Sequence, residues 1–242
     1  LRRARGYAPE PIKLYGNSRI ILALGAQQKN TFCLVKGDNA FLSGHIGDLD
    51  DPDTESFYAS EIQSFMRLFD AKPEMIACDM HPDYVSTRYA TCFDGGLPVN
   101  KIQHHHAHFA SVLAEHQMEE PAIGLIFDGT GYGTDGTIWG GEALFGGIRS
   151  SERVGHLRYT SLLSGEAAIH EPWRVALAMM CDACGESEAL DYFKAYEEKA
   201  ALLLHMKKQG INSPAASSAG RLFDAVAALA GLRMLTTYEG QA

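Results

Sequence analysis

The chain opens with short apolar runs that are separated by turn residues. Residues 18–25, 31–35 and 40–46 are rich in residues that favour strands. The tight turns between these runs predict an antiparallel meander. Residues 51–69 begin with the turn residues 51–54 and then carry apolar side chains at helical spacing, which predicts a helix.

A strand–helix–strand order comes next and leads into a histidine-rich segment. We predict a buried strand at residues 74–79, a helix at 84–93 and a strand at 98–102. Residues 104–116 contain good helix formers and neither Pro nor Gly, which predicts a further helix. Three strands followed by alternating helices and strands are typical of a ribonuclease-H-like lobe, in which helices cover a mixed sheet.

The second half of the chain begins in a similar way. A predicted strand at residues 122–128 precedes a glycine-rich turn at 129–136. Further strands are predicted at residues 137–139 and 143–146, and helices at 172–184, 189–206 and 222–232. The repeated opening resembles the duplicated lobes of the actin-like ATPase superfamily. The later strands of a second sheet are not evident, so we predict a two-lobed α/β fold whose second lobe is incomplete.

Length and composition fit this organisation. The 242 residues are 46% hydrophobic and 21% charged, which allows one large domain or two small ones. We predict a basic, proline-bearing linker or tail of an upstream domain at residues 1–17, a first lobe at 18–120 and a second lobe at 121–242. The missing initiator Met and the abrupt end suggest a piece of a longer protein.

Net charge and cysteine content limit the classes of partner and the cellular compartment that fit this sequence. The formal net charge of −9 argues against a nucleic-acid partner, which requires a basic face. No apolar run approaches the roughly 18 residues of a membrane helix, and the start does not read as a signal peptide. Five scattered cysteines fit a reducing compartment better than a disulfide framework. We therefore expect a cytoplasmic protein with neither nucleic acid nor membrane as its partner.

The histidine-rich helix is the strongest candidate for chemistry. His104 and His108 are four residues apart, so on a helix they share one face at a distance of about 6 Å. Two neutral imidazoles at this spacing can bind one divalent metal ion. His105 and His106 then point elsewhere, where they can support the ligands or contact a substrate. A solvated histidine cluster is the alternative, because two side chains alone do not complete a metal site.

The glycine-rich segment after Asp128 is the second candidate. Glycines let backbone N–H groups surround phosphate oxygens, and Asp128 itself could be an acidic metal ligand. An ordinary hairpin turn explains the same pattern. Further along, Arg221 and Asp224 are one turn apart at a predicted helix start, where an Asp either favours the helix dipole or accepts hydrogen bonds from a ribose.

A polar cluster at residues 78–84 follows the buried strand at 74–79. Strand ends are common positions for sites in open α/β sheets. A plain loop explains the cluster equally well.

Seven segments together resemble one family. They are RRARGYAPEPI, LGAQQKNTFCLV, ACDMHPDYVSTRYA, QHHHAHFASVLAEH, FDGTGYGTDGTIWGGE, EPWRVALAM and SSAGRLFDAVAALAGLR. In order and spacing these segments resemble the HypF carbamoyltransferases, which help to make the cyanide ligands of nickel–iron hydrogenases. The resemblance spans nearly the whole chain.

The resemblance implies a domain organisation and a site. HypF-like proteins carry an acylphosphatase domain, zinc-finger motifs, a YrdC-like domain and a C-terminal domain similar to TsaD, which transfers threonylcarbamoyl to tRNA. Residues 1–17 would be the tail of the YrdC-like domain, and the rest would be TsaD-like. The family's metal-binding histidines match His104 and His108, and Asp128 matches an Asp that also ligates the metal, which we expect to be zinc or iron.

The family's nucleotide-binding segments match two further stretches of this chain. The first contains Asp128, Gly129, Thr130, Gly131 and Gly133. The second contains Gly220 and Asp224, and it would place Asp224 near the nucleotide sugar. A further metal-binding Asp of the family lies in a late glycine-rich segment that has no counterpart here, so we expect the fragment alone to be inactive or only partly active.

The implied reaction is carbamoyl transfer. The donor would be carbamoyl adenylate, made from ATP by the YrdC-like domain, and the acceptor would be the C-terminal cysteine of HypE. His104 and His108 would be the catalytic pair through their metal. Two other functions stay open: an actin-like ATP-binding phosphotransferase, which would not need the histidine pair, and a non-catalytic domain that only docks HypE.

Overall fold

A computed structural model describes residues 10–14, 16, 19–93, 96–238 and 240–242. The chain forms two compact units. The first comprises the described residues up to Ala122 together with Gly146–Ser151, and the second comprises Ile123–Phe145 and the described residues from Glu152 onward. Most of the predicted linker, namely residues 1–9, 15 and 17, lies outside the described residues.

The described residues of the first unit form a six-stranded sheet in the order β1-β4-β3-β2-β5-β6. The strands are β1 (Ile12–Lys13), β2 (Ile21–Ala23), β3 (Cys33–Lys36), β4 (Asn39–Leu42), β5 (Met75–Asp79) and β6 (Val99–Ile102). The meander β2-β3-β4 is antiparallel, as predicted, while β5 pairs in parallel with both β2 and β6. The predicted linker also contributes to this sheet, because Ile12 and Lys13 pair with β4.

The described residues of the first unit also form the helices α1 (Pro52–Leu68), α2 (Val85–Cys92) and α3 (His104–Glu115). The carboxylate of Asp51 accepts a hydrogen bond from the backbone N–H of Thr54 and caps α1, whose first position is a proline. Tyr58 and Ile62 of α1 are fully buried against Leu22 and Ile76 of the sheet. Burial of a large apolar side chain contributes about 1.5–3 kcal/mol, so this packing holds α1 against β2 and β5.

The second unit is built on a five-stranded sheet of described residues. Its strands are β7 (Ala122–Tyr132), β8 (Ile138–Gly146), β9 (Ser151–His156), β10 (Thr160–Ser161) and β11 (Ala215–Ala216), in the order β10-β11-β8-β7 with β9 also paired to β8. Two predictions are wrong here. Residues 129–132 continue β7 and do not form a turn, and the two strands predicted at 137–139 and 143–146 are one continuous strand.

Close backbone packing explains both differences. A Cβ atom on Gly140 would lie 2.8 Å from the carbonyl oxygen of Asp128, and one on Gly141 would lie 2.5 Å from that of Ser217. These glycines therefore mark places where neighbouring backbones approach closely within a sheet, and they are not chain breaks. The turn itself is confined to residues 133–137, where the N–H of Gly133 donates to the carbonyl of Thr137 at 3.0 Å.

The helices of the second unit surround a core centred on Trp173. They are α4 (Ala167–His170), α5 (Pro172–Cys184), α6 (Glu186–Tyr192), α7 (Glu197–Lys208) and α8 (Ala219–Leu229), with a 3-10 turn at Lys194–Tyr196. The single helix predicted at 189–206 is wrong, because the chain turns at Phe193 and buries this ring beside Trp173 with 6.2 Å between ring centroids. Tyr196 stacks on the same indole at 4.5 Å.

The α/β architecture with two sheets confirms the predicted fold class. Among the described residues, no helix combines the length and the apolar character needed to cross a membrane.

Candidate functional site

His104 and His108 converge on one point at the start of α3. The helix begins at His104 because the side chain of Gln103 caps it, accepting a hydrogen bond from the N–H of His106 at 2.8 Å. The Nε2 atoms of His104 and His108 are 3.1 Å apart. Two nitrogen ligands at 2.0–2.1 Å from one metal ion in tetrahedral geometry are separated by roughly 3.3 Å, so the spacing suits a shared ion.

Asp79 is the partner of His104 on its other ring nitrogen. Its Oδ2 atom lies 2.7 Å from Nδ1 of His104, and the two side chains are only 6% and 15% exposed. The neighbouring strands produce this contact. Asp79 pairs in parallel with Ile102, and α3 begins two residues after Ile102, so the carboxyl end of β5 lies beside the start of α3. Of the polar cluster at 78–84, Asp79 therefore belongs to the histidine site and is not part of a plain loop.

The two neighbouring histidines make other contacts, as predicted. His105 is fully buried, and its Nδ1 atom is 3.1 Å from the side-chain nitrogen of Gln103. His106 places Nδ1 at 2.8 Å from the hydroxyl of Ser151 and Nε2 at 3.1 Å from the carbonyl oxygen of Ile148. These two side chains therefore secure the beginning of α3 and leave His104 and His108 as the converging pair.

An open cleft of about 460 Å³ runs along the first unit beside this pair. Asp79, His104 and His108 line it together with apolar side chains of the sheet, including Val35 and Leu42. Imidazole and carboxylate groups therefore lie side by side with a mostly apolar cleft wall.

Asp128 lies inside β7 in the second unit. Its Oδ1 atom accepts a hydrogen bond from the N–H of Gly129 at 2.7 Å, and the hydroxyl of Ser218 donates to its backbone carbonyl at 3.2 Å. A Cβ atom on Gly220 would lie 3.0 Å from Cα of Gly129. The start of α8 is thus packed against residues 128 and 129, which brings two of the predicted nucleotide-binding segments together within this unit.

The remaining predicted residues of these segments are distributed along the same elements. Thr130 and Gly131 lie within β7, and Gly133 opens the turn that follows the strand. Thr130 and Gly131 therefore belong to a strand and not to the glycine-rich turn that was predicted for them.

Asp224 lies on α8 and pairs with Arg221. The Nε atom of Arg221 is 2.8 Å from Oδ2 of Asp224, and both side chains are almost buried. Burial raises the pKa of the Asp224 carboxyl, and the neighbouring Arg221 partly opposes this shift. The helix begins earlier than predicted, at Ala219, because the Ser218 hydroxyl accepts a hydrogen bond from the N–H of Arg221 at 3.0 Å.

A buried charge network that the sequence pattern did not predict lies next to Ser218 and the start of α8. Glu142 is 1% exposed and accepts hydrogen bonds from Nε of Arg153 at 2.6 Å, from the N–H of Gly140 at 3.0 Å and from the hydroxyl of Ser217. Burial by itself raises the pKa of the Glu142 carboxyl, but these donors outweigh it and lower the pKa. The signal in the sequence was an acidic residue directly after two strand glycines.

Arg153 extends the network toward the turn after β7. Its guanidinium donates to Oδ2 of Asp135 at 3.0 Å and to the hydroxyl of Tyr159 at 2.6 Å, and it lies 4.1 Å from the centre of the Trp139 ring. The indole N–H of Trp139 donates to Oδ1 of Asp135 at 2.9 Å. Burial opposes the charged form of Asp135, but hydrogen bonds from Thr137, Trp139 and Tyr159 hold the pKa of that carboxyl well below its usual range. The network therefore fixes the turn at 133–137 against β8.

Comparison with known proteins agrees with this description. Residues 16–115 match the family described as "HypF Kae1-like domain", and residues 124–242 match "Carbamoyltransferase, Kae1-like Domain, second subdomain". The chain is 45% identical to carbamoyltransferase HypF2 of Cupriavidus necator over 244 residues and 42% identical to carbamoyltransferase HypF of Rhizobium leguminosarum bv. viciae over 242 residues. All of this chain is covered in both cases, but only 30% and 32% of the relatives.

Two solved structures share the fold. One is full-length HypF in a phosphate- and nucleotide-bound form, with a TM-score of 0.91 and 45% identity, and the other is HypF of T. kodakarensis, with a TM-score of 0.91 and 32% identity. This chain is covered completely and spans 32% and 34% of those chains. Fold and family matches thus define the class as a Kae1-like module with two subdomains. Within that class, the chain belongs to the HypF family of carbamoyltransferases.

Proposed function

We propose that this chain is the part of a HypF-type enzyme that transfers a carbamoyl group from carbamoyl adenylate to the C-terminal cysteine of HypE. The observation that carries the proposal is the convergence of His104 and His108, whose Nε2 atoms are 3.1 Å apart, in a chain whose relatives are named carbamoyltransferases. The relatives are about three times as long, so the activity is proposed for the longer protein.

The residues present fit a divalent metal ion, which we propose to be zinc or iron. His104 and His108 would hold it through Nε2, because Nδ1 of His104 is already engaged by Asp79. Asp128 is proposed as an acidic ligand on the strength of the family resemblance. A bound ion would supply Lewis-acid polarisation of the carbamoyl oxygen.

The nucleotide end of the donor is proposed to bind in the second unit. Asp128, Gly129 and Gly133 would contact the phosphate, while Gly220 and Asp224 would lie near the sugar. The packing of Gly220 against Gly129 supports this assignment, because it brings the start of α8 next to the glycine-rich strand. The N-terminus of a helix favours negative charge, which suits a phosphate.

The proposed transfer balances without an added oxidant or reductant. The cysteine sulfur of HypE attacks the carbamoyl carbon, and a carbon–sulfur bond forms. The bond between that carbon and the phosphate oxygen breaks, and AMP leaves with the electron pair. The thiol proton passes to solvent. Positioning of donor and thiolate at one site is the main contribution that the protein can make to such a step.

The partners follow from the same proposal. HypE would supply the acceptor, and the YrdC-like and acylphosphatase domains of a longer chain would supply the carbamoyl adenylate. A formal net charge of −9 disfavours tRNA, the acceptor of TsaD, which agrees with a protein acceptor.

The decisive experiment measures the mass of intact HypE after incubation with carbamoyl adenylate. It is run with this chain and with the full-length protein, each as wild type, His104→Ala, His108→Ala and His116→Ala. His116 is an exposed histidine at the end of the same helix, so it is the matched control. We expect the full-length wild type and His116→Ala to add the carbamoyl mass and the other two variants to lose it. Normal carbamoylation by His104→Ala would overturn the proposal.

A further inference from the structure

Asp79 lies directly behind the histidine pair, on the side away from His108. We propose that Asp79 is a positioning residue that fixes the ring orientation and the tautomer of His104, so that the Nε2 lone pair of His104 faces the Nε2 atom of His108. This inference rests on the proposed metal-binding pair.

The hydrogen bond between the two side chains determines the tautomer. The Oδ2 atom of Asp79 is 2.7 Å from Nδ1 of His104, a distance typical of a charge-assisted hydrogen bond. An ionised carboxylate can only accept, so the proton must lie on Nδ1 of His104. A neutral imidazole carries one N–H, and its other nitrogen, Nε2, then presents a lone pair. That nitrogen lies 3.1 Å from Nε2 of His108.

Asp79 is itself held in place by its surroundings. Its second oxygen, Oδ1, accepts a hydrogen bond from the N–H of His81 at 2.9 Å, which prevents rotation of the carboxylate. The carbonyl of Asp79 accepts from the hydroxyl of Thr87 at 3.1 Å, and the N–H of Met80 donates to the carbonyl of Ile102 at 3.0 Å. The backbone at Asp79 is therefore held by α2 and β6, and the carboxylate is oriented by the N–H of His81.

A purely structural role would also explain a buried Asp–His contact. In that case the contact would only join β5 to the start of α3, and the state of the His104 ring would be incidental. The two roles differ in what they predict for the ring. A positioning role requires one tautomer in the metal-free chain, whereas a structural role is indifferent to which nitrogen of His104 carries the proton.

The test compares Asp79→Asn with Asp83→Asn. Both variants replace a carboxylate of the polar cluster at 78–84 by an amide of the same shape. Asp79 ends β5 and is buried, whereas Asp83 is exposed in the turn that follows, so Asp83→Asn is the matched control. Zinc affinity is measured by competition with a chromogenic chelator, and the tautomer of His104 is read from long-range proton–nitrogen NMR spectra of the metal-free chain at a pH where the ring is neutral. We expect Asp79→Asn to lower zinc affinity 10–100-fold and to change the ring spectrum of His104, while Asp83→Asn changes neither.

Two results would overturn the proposal: unchanged zinc affinity in Asp79→Asn, or reduced affinity with an unchanged His104 spectrum. The spectrum of the wild type decides the matter even if Asp79→Asn does not fold, because a mixture of tautomers at His104 excludes the positioning role. If the wild-type chain binds no zinc, the metal pair of the proposed function fails separately. The ring spectra of wild type and variant then decide the role of Asp79.

Discussion

At the scale of single residues, the histidine pair was accessible from the sequence and its carboxylate partner was only partly so. A spacing of four residues on a helix is enough to place His104 and His108 on one face. Asp79 and His104 are 25 residues apart, and their contact depends on the pairing of β5 with β6, which local pattern does not specify. The sequence did not reveal the Glu142–Arg153 network for the same reason, because its members come from two strands, β8 and β9, and from three separate connecting segments.

The histidine pair makes a prediction about metal content. Replacing both His104 and His108 by Ala should remove stoichiometric zinc or iron from the full-length protein, because the two Nε2 atoms are the proposed ligands. Elemental mass spectrometry of the purified protein measures this directly, with His116→Ala as the control. An unchanged metal content in the double variant would rule out the assignment.

Glu142 makes a prediction about stability and pH. Its pKa is lowered in the folded chain from an ordinary value of 4.5, so its contribution to stability is complete above about pH 4.5 and is lost as the pH falls toward the folded pKa. Glu142→Gln should lower the free energy of unfolding by about 2–3 kcal/mol at neutral pH, since hydrogen bonds to charged groups contribute about 1.5–3 kcal/mol. The difference from wild type should shrink in acid.

Urea unfolding at a series of pH values tests this expectation. The control is Glu152→Gln, which removes an exposed carboxylate from β9 and should have little effect. A Glu142→Gln deficit that stayed constant from neutral pH into acid would contradict the linkage to Glu142 ionisation.

At the scale of elements, the sequence predicted what short-range pattern controls. The meander β2-β3-β4, the helix α1 that follows turn residues and the helix beginning at His104 all follow from local turn and spacing signals. The continuation of β7 through residues 129–132 does not follow from local signals, because it depends on tertiary contacts of Gly140 and Gly220 with the backbone of β7. The break at Phe193 likewise depends on a distant partner, Trp173.

Ser218 connects two elements, and its removal should be measurable. Its hydroxyl accepts from the N–H of Arg221 at the start of α8 and donates to the carbonyls of Asp128 and Gly129 in β7. Ser218→Ala should therefore lower the free energy of unfolding by about 1–2 kcal/mol, the usual cost of losing a helix cap. Chemical denaturation measures the change, and Ser60→Ala on the exposed face of α1 is the control. Equal stabilities of the two variants would show that the cap contributes nothing.

At the scale of the whole molecule, the order of the predicted elements was sufficient to predict the fold class. The sequence motifs were sufficient to predict the family. The relatives are much longer than this chain, which spans 30% of HypF2 of Cupriavidus necator. Charge is the other property that belongs to this scale. With a formal net charge of −9, the chain should not shift tRNA in an electrophoretic assay even at low salt. A salt-sensitive complex with tRNA would instead favour an acceptor like that of TsaD.

The contact between Asp79 and His104 also leads to an expectation about refolding. In the folded chain the carboxylate reaches the ring through the register that joins Asp79 to Ile102, so we expect the pairing of β5 with β6 to precede the contact. A peptide covering residues 100–116 would hold both histidines on one helical face but would lack this partner. If the positioning role holds, tight zinc capture during refolding is a late step that follows the closure of the sheet. The rate at which the refolding chain binds added zinc would then report the rate at which β5 pairs with β6.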